Sequence, residues 1–360
     1  MSTLPECGVT WTLAHAWNSD SDHAALHVCA AELARIGVGF AGTSDVSTAN
    51  AIKMHGFEIV DTLQAATLQL ADVRAAAASQ DWHARLDARA LRFMIHGDAV
   101  FGIPLNIHQS NCLWAHEPTA AAISSANCEG AGDLDAWLRQ AGQHIDKPLA
   151  IGNEPWQIGI LFESLSLAML GAQAYEEAFV QLRADTLGCR AMVGVLEQLS
   201  RWRDLVDDQL IARPWREQLA AVNAGHAAVM VMGDWVSAKP PAAVRRLHVE
   251  GFRSEAIFVV DFFVPLMRGG ADLAERIAAA LTRTGFQERF SSAKGSVPAV
   301  VDLPRALNRS AGRVDAPSLT FDQCCSVATK TRLLEVVADH FNHRRDSVRT
   351  AQELARAASA

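Results

Sequence analysis

Thirteen histidines and forty acidic residues give this 360-residue chain ample material for acid–base or metal chemistry. Their spacing argues against it. There is no G-x-S-x-G elbow, no H-E-x-x-H pair and no C-x-x-C pair. Gly37-Val-Gly-Phe-Ala-Gly42 has a G-x-x-x-x-G spacing without the following Lys-Ser/Thr, which excludes a P-loop. His340 and His343 lie three apart beside Arg344 and Arg345 near the C-terminus. They could hold a metal, but they suit a solvated helix end, where cations meet the negative end of the dipole. The seven cysteines (7, 29, 112, 128, 189, 324, 325) are odd in number and lack zinc spacing. Most read as small buried hydrophobes.

What remains is the chemistry of non-covalent recognition. Trp17, Trp156 and Trp235 each stand beside a turn that follows an apolar stretch. Indole faces stack on C–H surfaces, while charged and amide groups fork onto hydroxyls. Asp22, Asp234, Asn111, His108 and Lys294 could supply those polar contacts. Each residue also has a plainer reading. The tryptophans could be core or edge rings. Asp22 could cap the helix after Asn18-Ser-Asp-Ser-Asp22. His108 and Asn111 could be satisfied within a strand. Lys294 could be a solvated loop lysine, although Gly-Ser-Val-Pro298 after it suggests backbone held close to something.

The elements that must position these residues alternate along the chain. Val9–Trp17 reads as a strand and Asp22–Ile36 as a helix. Gly37–Gly42 is a weak strand and turn. Ser44–Met54 and Phe57–Ser79 are helix-like, and His96-Gly-Asp98 is a hairpin turn. Phe101–Trp114 is the most informative stretch: an apolar strand interrupted by Pro104, which belongs at a strand start, an edge or a crossing point. Asp133–Ala141, Ile158–Leu170, Tyr175–Leu182, Cys189–Trp202, Trp215–Ala224 and Ala271–Arg283 read as helices. Pro148–Gly152, His226–Met232 and Ala256–Leu266 read as strands. Lys239–Val249 is expected to be a loop with a short helix. After Pro317 the chain is helical. Alternation of this kind predicts an α/β fold with mixed sheets.

Half of the residues are hydrophobic, enough for two lobes with separate cores, and the net charge of −8 is spread without a basic patch. No nucleic-acid surface is indicated. No apolar run reaches the roughly 20 residues of a membrane span, so no membrane insertion is expected. No basic-then-apolar leader is visible at Met1–Gly8, so a signal is either absent or already removed. Cys7 could be the remnant of a lipid anchor or an ordinary residue.

Several stretches, in order, resemble the maltose-binding-protein-like group of extracytoplasmic sugar-binding proteins of ABC importers, nearest its glucose/galactose-binding branch. His15-Ala-Trp-Asn-Ser-Asp-Ser-Asp22 is similar to the group's His-Trp-Trp-Thr-Ser-Gly-Gly-Glu. Ile103-Pro-Leu-Asn-Ile-His108 and Asn111-Cys-Leu-Trp114 are similar to Val-Pro-Val-Asn-x-His and Asn-Trp-Leu-Trp. Pro155-Trp-Gln157, Met232-Gly-Asp-Trp235 and Lys294-Gly-Ser-Val-Pro298 also match. The resemblance runs from about Val9 to about Thr329. It implies a two-lobed type II periplasmic-binding-protein fold with a hinge and a central cleft. It implies an N-terminal lobe of 1–105 plus 256–302 and a C-terminal lobe of 106–255 plus 303–360. It further implies a periplasmic monomer that binds a sugar, delivers it to permease subunits, and needs neither a cofactor nor catalysis.

The same resemblance places His55, Glu58 and Asp261 in the ligand set. His55-Gly56 stands where the group has Lys-Gly, Glu58 lies near its acidic residue, and Phe258-Val-Val-Asp261 replaces Phe-Asn-Val-Asp. The departures are as specific as the matches. Ala16 removes a ring, Asp22 is one methylene shorter than Glu, Val259 removes an amide and Thr329 replaces a histidine. Hydroxyl-bonding sites lose selectivity steeply when their partners are changed. The ligand is therefore expected to differ from glucose and to be larger or less polar, with a non-transport sensor as the alternative.

Overall fold

Helix Asp20–Arg35 connects strands Thr10–Ala14 and Gly39–Thr43, which pair in parallel from Thr10 opposite Gly39 to Ala14 opposite Thr43. Ala25, Leu26, Cys29 and Leu33 recur at helical spacing and are buried. The computed structural model describes residues 10–14, 20–43, 70–125, 134–249, 255–265, 270–301, 314–319 and 327–359. The expected helix at 44–54 lies outside the described residues, as do Trp17, His55 and Glu58. The chain divides into two units: Met1–His108 with Val260–Asn308, and Gln109–Val259 with Arg309–Ala360. Strands Ile103–Gln109 and Glu255–Phe263 each run across that division.

In the first unit, helix Asp20–Arg35 packs against helix Thr284–Lys294. Buried Glu32 is clamped there by Arg35, Arg283 and Arg289 at 3.0–3.3 Å. The expected hairpin turns at Gly97, whose φ of 56° favours glycine, between strands Ile95–His96 and Ala99–Val100. Of the expected helix 57–79, the described part is helical only over Arg74–Ser79. Asp72 Oδ1 accepts from the Arg74 and Val100 amides, tying the residues just before that helix to the hairpin. Pro104 is the second residue of its strand, and its carbonyl accepts from the Gln287 side chain at 2.7 Å. Val297–Pro298 pairs with Ile107 and Asn106.

In the second unit, a four-stranded mixed sheet runs in the order Leu149–Ala150, Val229–Met232, Cys112–His116, Val244–Leu247. The last strand corrects the loop and short helix expected at 239–249. Only Val244 of its four residues is buried, and Arg245-Arg246 conceal the strand pattern. Helix Pro155–Phe179 is buried continuously from Gln157 to Leu167 and breaks at Gly171, where φ is 77°. By length and composition alone it could cross a membrane, yet it forms the centre of this unit's core. An apolar surface on every side marks a helix enclosed by other elements. Helices Arg190–Arg203, Val327–His343 and Ser347–Ala358 pack around it. Strand Val314–Pro317 lies parallel to Glu255–Phe258.

His340 does not sit at a solvated helix end. It is fully buried, whereas His343 is exposed and 3.4 Å from Asp339. Among the described residues no three His, Cys, Asp or Glu side chains group as a metal site.

Candidate functional site

Lys294 is the last residue of its helix, and Gly295 ends that helix at φ 72°. A left-handed residue after the last turn is the common way to stop a helix, and a lysine there suits the dipole. The side chain is buried and donates to Asp22 Oδ1 at 2.5 Å, in the first turn of helix Asp20–Arg35. It also lies 3.1 Å from Asp261 Oδ2. Asp22 is thus bound to Lys294 whether or not it also serves the helix start.

His108 joins this network from strand Ile103–Gln109, with Nε2 3.3 Å from the same Asp261 oxygen. Asn106, two residues earlier on the same face, places Nδ2 3.1 Å from His108 Nε2 and donates to Ser296 Oγ at 2.6 Å. One ring nitrogen either accepts from the amide or donates to the carboxylate, not both. Among the described residues Asn106 Oδ1 is buried with no hydrogen-bond donor, whereas the buried Asp261 Oδ2 faces Lys294 and His108.

The electrostatics are those of a tightly coupled buried set. Burial alone would raise the Asp261 carboxyl, but Lys294 and His108 hold it well below the usual carboxylate range. Burial alone would lower the Lys294 ammonium, but Asp261 and Asp22 outweigh it and raise it. Both groups are therefore charged at neutral pH. Beneath them, burial pushes the Cys29 thiol up to about 12, leaving it protonated and inert.

The second unit holds Asn111, Trp156, Asp234 and Trp235. Here the polar side chains hold backbone. Asp234 Oδ2 accepts from the Gln109 amide at 2.8 Å. Asn111 Oδ1 accepts from the Ile257 amide and from Gln109 Nε2, each at 3.0 Å. Trp235 follows Gly233 at the start of a 3-10 turn, Asp234–Ala238, and its ring lies against that glycine. Trp156 follows Pro155 in the first turn of its helix. Both indoles are partly buried against the apolar core, so each keeps part of its surface outside it. Neighbouring Gln157 turns inward to accept from the Gly152 amide at 3.1 Å.

The structure thus brings Asp22, His108, Asp261 and Lys294 into one network in the first unit. Asn106 and Ser296 complete it, although neither stood among the residues expected to bind ligand. Asn106 had one signal: it lies on the same strand face as His108. Such an arrangement of charged and amide groups suits recognition of hydrogen-bonding groups.

No family model matches the chain. A probable sugar-binding periplasmic protein of Mesorhizobium japonicum is 28% identical over 319 residues, covering 81% of this chain and 76% of that one. A probable sugar-binding periplasmic protein of Brucella suis is 25% identical over 386 residues, covering 96% and 91%. Among solved structures, the bacterial solute receptor AcbH, with exclusive preference for β-D-galactopyranose, superposes with a TM-score of 0.77 at 13% identity over 96% of both chains. A chitin oligosaccharide binding protein superposes with a TM-score of 0.76 at 14% identity over 98% of both. The fold is the type II periplasmic-binding fold expected from the sequence.

Proposed function

We propose that this homologue of the periplasmic sugar-binding proteins is the solute-binding component of an ABC importer, a non-catalytic receptor that takes up a carbohydrate outside the inner membrane. The observation that carries this reading is the sequence relationship to proteins of that name over 81% and 96% of the chain. The fold agrees with it, and so does a buried network of charged and amide groups suited to hydroxyls. The relatives' names do not favour a non-transport sensor. The receptor acts as a periplasmic monomer and hands its ligand to permease subunits.

The ligand contacts we assign are Asp22, His108, Asp261 and Lys294 from the first unit, with Trp17, His55 and Glu58 from the same part of the chain. Trp156 and Trp235 supply rings from the second unit. Asn111 and Asp234 are offered as groups that hold the frame around those rings as well as bonding ligand. The lobes are assigned as 1–105 plus 256–302 and 106–255 plus 303–360. Isothermal titration of the full chain against mono- and oligosaccharides, with tryptophan fluorescence as a second readout, should give saturable binding. Silence across sugars and related polyols overturns the assignment.

A further inference from the structure

Helix Asp20–Arg35 carries a second carboxylate at the end away from Asp22, and that carboxylate gathers more cations than it needs. Glu32 is 2% exposed. Arg35 and Arg289 each place a nitrogen on its Oε2, at 3.3 and 3.0 Å, and Arg283 places one on Oε1 at 3.3 Å. A single forked guanidinium could meet both oxygens. Instead three arginines meet them with one nitrogen each. Three cations against one anion leave a formal +2, in a chain whose net charge is −8. The side chains of Arg35, Arg283 and Arg289 are 64%, 56% and 49% exposed. Among the described residues their other guanidinium N–H groups meet no acceptor.

A helix C-terminus ordinarily repels anions through its open carbonyls. Here those carbonyls are taken. Leu33 accepts from the Ile36 and Val38 amides, Ala34 from the Gly37 amide, and Ile36 from the Arg276 side chain. Arg276, on helix Ala271–Leu281, thereby brings a fourth guanidinium to the residue next to Arg35. The other acids on helices Ala271–Leu281 and Thr284–Lys294 are Asp272, Glu275 and Glu288. Among the described residues none of them pairs with these arginines.

We infer that the arginines gathered on Glu32 form an oxyanion site in the first unit, one that takes a phosphoryl group on the exposed edges of Arg35, Arg283 and Arg289. The buried carboxylate behind them fixes where their donors stand, which lowers the cost of ordering long side chains around an anion. Arg35 and Arg289 converge on one oxygen, so a tetrahedral group can meet both, and this suits a small oxyanion rather than an extended acidic chain. Planar guanidinium edges match phosphoryl oxygens in pairs. The phosphoryl group is carried either by free phosphate or by a phospholipid head group. The site is separate from the sugar contacts assigned above and does not depend on them.

The test has two arms, both on the full chain at constant ionic strength. In the first, inorganic phosphate is titrated calorimetrically against a sodium chloride blank. In the second, the chain is sedimented with phosphatidylglycerol vesicles and with phosphatidylcholine vesicles. Saturable binding is expected in at least one arm, and the arm that shows it identifies the source of the phosphoryl group. Arg35→Gln and Arg289→Gln should each weaken that binding at least about fivefold. Arg332→Gln, on helix Val327–His343 of the second unit, should leave it unchanged. Melts in chloride establish that each variant is folded, and the most exposed of the three arginines, Arg35, carries the comparison if Arg289→Gln is not. Phosphate stabilises folded proteins by exclusion as well, so binding and not melting temperature decides. Absence of saturable binding in both arms overturns the inference. Binding that the folded arginine variants leave intact, or that Arg332→Gln weakens equally, also overturns it. The sugar-receptor reading stands or falls on its own titration in every case.

Discussion

At Gly233 it is space rather than backbone that demands a glycine. Its φ of −65° and ψ of 165° are open to any residue, yet an added Cβ would come 2.0 Å from Cζ3 of Trp235. The indole is itself seated on the apolar core of the second unit and has little freedom to retreat. Gly233→Ala should therefore displace the ring, at a cost of about 1–3 kcal/mol in stability, as in other overpacked sites. With Trp235 as a proposed ligand contact, sugar affinity should fall with it, because a stacked ring must match the sugar face in position. Chemical denaturation and calorimetric titration of the variant check both parts. Unchanged values in both would mean that the Trp235 ring relocates freely and is not a ligand contact. Asp234, next in sequence, shows a limit of reading residues singly. A carboxylate after Met-Gly suggests ligand binding, and its oxygen also receives the Gln109 amide 125 positions away, a partner the local sequence does not reveal.

Three helices of the second unit meet at one imidazole. His340, on helix Val327–His343, contacts the Leu196 carbonyl at 3.0 Å and Ser200 Oγ at 2.9 Å on helix Arg190–Arg203. Its other nitrogen lies 3.1 Å from Thr350 Oγ1 on helix Ser347–Ala358. Burial pushes its pKa down from the ordinary histidine value, with the Leu196 contact and Asp346 opposing and Arg345 assisting. The folded state therefore binds this proton less readily than the unfolded chain does. Stability is fully present above an unfolded pKa of about 6.5 and falls as pH drops from there toward the lower folded value. Melting of this unit should lose temperature on acidification through that window. His340→Gln should flatten the dependence, even if it lowers the melting temperature overall. Calorimetric melts from pH 8 down to about pH 5 make the comparison. A wild-type profile as flat as the variant's removes the imidazole from this role.

Across the whole molecule, the parts readable from the sequence were those with local causes. Helices with an apolar stripe, the Gly97 turn, the Pro104 strand start and the alternation of elements all depend on neighbours a few positions apart. Strand Val244–Leu247 was hidden because its partners lie around Leu113–His116 and its middle residues are arginines. The same reason hid the completion of the Lys294 network: Asn106 and Ser296 stand 190 residues apart. Resemblance placed Asp22, His108, Asp261 and Lys294 in one ligand set, but not which of them would hold the others. That holding reaches further than the network itself. Helix Asp20–Arg35 is pinned to helix Thr284–Lys294 near both of its ends, by Asp22 on Lys294 and by Glu32 on Arg283 and Arg289. The two pins are ten residues apart, or about 15 Å along the axis. A rod fastened twice can neither slide nor roll, so loosening its far bolt frees the near one to drift. Glu32→Gln, touching nothing near the carboxylates proposed as ligand contacts, should cost sugar affinity about 0.5–2 kcal/mol. Titration of a folded variant at wild-type affinity would show instead that the near bolt holds alone. Variation along the outer arginines would then be a means of tuning the receptor's grip from its back.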